Sequence, residues 1–65
     1  WLNNKRNTMT DKIENTLDYY KIKEQQILNT VNSQNNLTAE DIVHYGKEMS
    51  ILTYKITALE IAKEN

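Results

Sequence analysis

The residues with the most chemical potential lie around His44, the single histidine of the chain. Glu40, His44 and Glu48 are spaced by four and Asp41 precedes the histidine by three, so together they line one edge of a helix. An Asp-x-x-His pair on one helix resembles one of the two carboxylate-x-x-His motifs of a di-metal carboxylate site, which needs four helices pointing inward. Here the edge lies away from the apolar stripe described below, so a solvated histidine among carboxylates is expected, and no metal site. Asp11, Glu14 and Asp18 form a second acidic edge. Two carboxylates work as acid and base only where a cleft drives their pKa values apart. A slim helical chain offers none, so these acids read as helix-capping and solubilising. Ser33 and Ser50 have no histidine at a plausible reach for a nucleophilic triad. No catalytic residue, cofactor or small-molecule substrate is expected.

Composition closes off other classes. Sixty-five residues make one small domain at most. Eight basic against nine acidic residues leave a net charge of −1, so no global field draws the chain to nucleic acid or anionic lipid. Lys47, Lys55 and Lys63 fall on different faces and are answered by Glu48, Glu60 and Glu64, which is no DNA-recognition helix. The lack of cysteine excludes disulfides, zinc ribbons and thiol chemistry; it is compatible with an intracellular location, which is otherwise left open. With no proline and one glycine, Gly46, phosphate-cradling loops are excluded. No run approaches the roughly 20 apolar residues of a membrane span, and no basic start followed by an apolar stretch predicts a signal peptide. A first residue of Trp rather than Met predicts a processed chain or a piece of a longer one.

The spacing of apolar residues predicts an all-α fold. Residues 1–9 are polar and basic after Trp1-Leu2 and are expected to form a flexible arm, because ordering them would bury little. Residues 10–65 are expected to form a helical hairpin. Ile13, Leu17, Tyr20, Ile27 and Val31 follow an a/d heptad, with Glu24 at the interrupted position, which predicts helix one over about 11–32. Asn32-Ser33-Gln34-Asn35-Asn36 supplies the break over 33–37, since Asn and Ser bond their own backbone and tolerate left-handed conformations. Thr38 as N-cap, Asp41 as its partner three residues on, and a Leu37–Ile42 staple start helix two over about 38–63. Ile42, Tyr45, Met49, Leu52, Ile56 and Leu59 then recur at 3 and 4, the seam expected to face helix one. Two rods of similar length and a short connection predict an antiparallel, coiled-coil-like hairpin.

A second stripe sits off that seam. Six residues form it, Ile51, Tyr54, Ala58 and Ile61 at 3, 4, 3 spacing and Tyr19 and Ile22 widening the apolar face of helix one, with Leu28 further along that helix. A helix apolar on two sides packs against two neighbours, and cores below about 70 residues seldom stand without staples. These six residues are the expected partner-binding set, with partner helices or further copies of the chain as the occupants. Gly46 in mid-helix reads as a tolerated surface glycine or as a point of close backbone approach. Glu24 reads as a snorkelling end-of-core residue or as a register-setting contact with a lysine of a partner.

The segment Leu37-Thr38-Ala39-Glu40-Asp41-Ile42-Val43-His44-Tyr45-Gly46, with Met49-Ser50, resembles part of the coiled coil of Mediator complex subunit 4. That family has Ala-Pro where this chain continues through Tyr54-Lys55-Ile56. The same segment is similar to the second helix of type III secretion needle and inner-rod subunits, at Tyr45, Met49, Ser50 and Thr53. Those proteins carry Asn-Pro in the loop and a basic, apolar tail that this chain lacks. The first resemblance implies a coiled-coil subunit of a large complex, the second a polymerising hairpin. The residues themselves predict a non-enzymatic helical assembly module, with a small regulatory protein that binds and inhibits an enzyme as the competing class.

Overall fold

A computed structural model of the chain describes the backbone of residues 2–64 and the side chains of residues 9–64. It is an all-α antiparallel hairpin of two helices, α1 (Leu2–Ser33) and α2 (Ala39–Glu64), packed against each other. Three contacts between the helices fix the register. The Glu14 carboxylate lies 3.1 Å from the Lys63 ammonium, Lys21 lies 3.9 Å from Glu60, and the Lys55 ammonium sits 5.2 Å from the centre of the Tyr20 ring. In this register Leu17, Leu52 and Ile56 are the buried core, with Leu17 only 4 % exposed. Ile13, Tyr20, Ile27, Val31, Tyr45, Met49 and Leu59 are half-buried around them, as the heptad spacing predicts. Thr16 and Thr30 flank the seam and satisfy their hydroxyls on their own helix, donating to the carbonyls of Lys12 and Gln26 at 2.7 and 2.9 Å.

The start of α2 is set by a reciprocal cap. The Thr38 N–H donates to the Asp41 carboxylate and the Asp41 N–H donates to the Thr38 hydroxyl, both at 3.0 Å, while the Ile42 N–H opens the helical ladder on the Thr38 carbonyl at 3.1 Å. Glu40 and Asp41 in its first turn and Lys63 in its last complement the helix dipole. The preceding break works differently from the expectation. Among the described residues none has a positive φ, so the Asn-rich loop turns the chain without a left-handed residue. Ser33 closes α1 by donating its hydroxyl to the Thr30 carbonyl at 3.2 Å.

One further expectation is corrected, and α1 starts before the residues that the apolar spacing marks. The backbone from Leu2 onward is helical and continuous with α1, where a flexible arm over 1–9 is predicted; Trp1 lies outside the described residues. Neither proline nor glycine stands in residues 2–9, and extending a helix already nucleated costs far less than starting one. Ile42 does not belong to the seam: it is 60 % exposed. The register that sets Glu14 against Lys63 puts Ile42 across from the connection after Ser33, where α1 has ended and offers nothing to pack on.

The same register leaves the first turns of α1 beyond the end of α2. The backbone measures 53 × 18 × 12 Å, with a radius of gyration of 15.7 Å, against about 11 Å for a compact chain of this length. Two rods side by side form a single layer, whereas self-sufficient domains pack at least two. No helix among the described residues is long and apolar enough to cross a membrane.

Candidate functional site

All six expected partner-binding residues are exposed: Tyr19, Ile22, Ile51, Tyr54, Ala58 and Ile61. They do not form one surface. Tyr54 stands two residues after Leu52 and two before Ile56, so the 100° helical step turns it directly away from α1; it is 75 % exposed. Ala58 and Ile61 stand two residues after the seam positions Ile56 and Leu59 and share that outer edge of α2. Ile22, between the seam positions Tyr20 and Glu24, points off the opposite outer edge, on α1. Ile51 adjoins the buried Leu52 and bridges the α2 edge to a groove between the helices.

Tyr19 is held by its neighbours rather than left bare. The Lys23 ammonium lies 5.3 Å from the centre of its ring, and the Tyr20 ring is 5.4 Å away, tilted by 59°. The α2 outer edge carries no comparable cover among the described residues, so it is the more available of the two apolar edges.

Of the grooves along the junction of the helices, two meet at Ile27 and Tyr45. The larger, about 400 Å³, has a mixed rim that includes Lys23, Gln26, Glu48 and Ile51. The smaller, about 240 Å³, is walled by Leu28, Val31, Leu37, Ile42, Gly46 and Met49, with no charged side chain. Ile27 and Tyr45 line both and form the ridge between them. A Cβ built on Gly46 would meet nothing within 4 Å, so among the described residues nothing beyond its own helical turn closes on it, and the glycine leaves the smaller groove open. Leu28, which extends the apolar face of α1, is exposed at this end together with Ile42 and Val43, the last 69 % exposed, and all three lie outside the expected six. The signal was available: Leu28 directly follows the seam residue Ile27, and Val43 follows Ile42.

The polar candidates stay apart. His44 is solvent-exposed, its Nε2 lies 3.4 Å from a Glu48 oxygen, and its ring packs edge-on to Tyr45 at 5.2 Å. Among the described residues no group of three or more His, Asp or Glu side chains converges on one point. Asp11, Asp18, Ser33 and Ser50 are exposed, and Glu14 is spoken for by Lys63. Glu24 is half-buried beside the core, and among the described residues it has no ion-pair partner. The arrangement offers apolar edges and grooves for packing. Comparisons with protein-family models, curated proteins and solved structures each find no match.

Proposed function

We propose that the chain is a non-enzymatic helical interaction module, which packs its outer apolar edges against further copies of itself or against helices of a partner protein. One observation carries this reading. The hairpin exposes 5481 Å², whereas a compact monomer of this mass exposes about 4,300 Å². The excess, about 1,200 Å², is larger than the roughly 800 Å² that each partner contributes to a standard interface. Much of it is apolar: among the described residues nine large hydrophobic side chains are exposed, against three that are buried.

The test is the coupling of helix content to association. Far-UV circular dichroism and sedimentation equilibrium, run together over a thousandfold range of concentration, should show helix content falling on dilution as the assembly dissociates. Binding of an apolar dye to the dilute chain should fall as the assembly forms. A chain that stays monomeric, melts cooperatively at a concentration-independent temperature and binds no apolar dye would overturn the proposal.

A further inference from the structure

We infer that the outer edge of α2 is a homodimer surface, on which the same edge of a second copy packs antiparallel, with Ile51 against Ile61 of the second copy and Tyr54 against Ala58. This rests on the reading of the chain as an interaction module and names one occupant for one of its edges. The edge repeats at 3, 4, 3 through residues 51, 54, 58 and 61, the period of a helix–helix seam. It lies opposite the packed face of α2, so a second helix there meets no part of α1.

Three observations select the partner and its direction. The first is shape. In the antiparallel register each large Tyr54 ring faces the small Ala58 of the other copy, and each isoleucine faces an isoleucine. A parallel pairing sets Tyr54 on Tyr54 and Ala58 on Ala58, giving a clash at one layer and a void at the next. Sliding the antiparallel pair by one heptad sets Ala58 against Lys47 and Ile61 against His44, burying polar groups under apolar ones.

The second is charge. The selected register brings Lys47 beside Glu64 of the second copy at both ends of the contact, two unlike pairs related by the two-fold axis. The parallel alternative pairs lysine with lysine and glutamate with glutamate. One like-charge contact remains near the axis, between the two Lys55 residues, and the hairpin already draws this side chain away: its ammonium sits over the Tyr20 ring at 5.2 Å. The third is area, since the excess surface of the hairpin exceeds one partner's share of a standard interface. An edge complementary to itself under a two-fold axis is the arrangement a closed dimer requires.

The experiment exploits the lack of cysteine, which allows single spin labels on the full chain. Labels at Thr57→Cys sit beside the proposed axis and should lie close together in the dimer. Labels at Val43→Cys, on the same flank, should lie about 39 Å apart along the axis from a 1.5 Å rise per residue. Short distances at both positions mean a parallel pair, and long distances at both mean another surface; either overturns the inference. Tyr54→Glu should weaken dimerisation at least about tenfold, because it sets a charge in an apolar contact, while circular dichroism at matched concentration reports any loss of fold. Lys47→Glu should weaken it too, and Lys47→Glu with Glu64→Lys should restore it, a rescue that unspecific stickiness would not show. A chain that remains monomeric yet binds apolar dye overturns the homodimer and leaves the interaction module standing; a monomer that binds no dye overturns both.

Discussion

Thr38 and Asp41 hold each other at both ends: each backbone N–H is bound by the other residue's side-chain oxygen at 3.0 Å. The pair satisfies two of the donors that every helix start leaves orphaned. It also fixes where the loop stops and α2 begins, and so sets the register in which Leu52 and Ile56 meet α1. Thr38→Ala and Asp41→Ala should each destabilise the fold by about 1 kcal/mol. Because each substitution breaks the same box, the double variant should lose clearly less than the sum of the two. Urea titration followed by circular dichroism at one fixed chain concentration measures all three; additive losses would show that the two residues act separately.

Gly46 is a helical glycine without a conformational reason to be one. No glycine among the described residues has a positive φ, and a Cβ at this position would meet nothing within 4 Å. Gly46→Ala should therefore stabilise the helix by about 1 kcal/mol, the difference in helix propensity between the two residues. The same methyl would protrude into the apolar groove beside Leu28 and Met49. Thermal melts at low and high concentration separate the effects. A rise at low concentration that vanishes at high concentration would place a partner in that groove, and a fall at both would contradict the open space.

The hairpin was legible because two local signals agree: a capping box at Thr38–Asp41 and unbroken 3/4 spacing from Tyr45 to Leu59. What spacing alone misses depends on where the neighbouring helix stops. Ile42 continues the stripe without fault and still lies outside the core, because α1 ends at Ser33 and the connection, not a helix, stands across from it. The start of α1 was obscured by Asp11 and Glu14, which look like a cap, although nothing before them breaks a helix. The exposed apolar residues were legible one by one but not as a shape. Ile22 and Tyr54 each stand two residues off a seam, and in a two-rod layer that places them on opposite outer edges.

The burial of Leu17 and the exposure of Ile42 make a direct comparison. Leu17 is 4 % exposed and Ile42 60 %, although both fit the apolar spacing equally well. Leu17→Ala should cost about 2–5 kcal/mol, from lost transfer energy and the cavity left behind. Ile42→Ala should cost less than about 1 kcal/mol, as a surface change does. Equal losses in chemical denaturation would return Ile42 to the seam and move the register.

Two contacts across the hairpin differ in how they should answer to salt. The Lys63–Glu14 pair is close, at 3.1 Å, but both side chains are nearly half exposed. Such pairs contribute about 0.2–1 kcal/mol, and salt screens them. The Lys55 ammonium over the Tyr20 ring meets a quadrupole rather than a charge, and to reach it the lysine stem crosses from α2 to α1. Removing it should cost about 0.5–1 kcal/mol, and part of that loss is packing that salt does not screen. Lys63→Ala should thus destabilise the chain at low ionic strength and leave it almost unchanged at 1 M salt, while Lys55→Ala should destabilise it under both conditions. A double-mutant cycle of Lys55→Ala with Tyr20→Leu isolates the ring contact from the loss of the stem. A coupling energy of zero would mean that the lysine stem alone, and not the charge over the ring, ties α2 to α1 at this level.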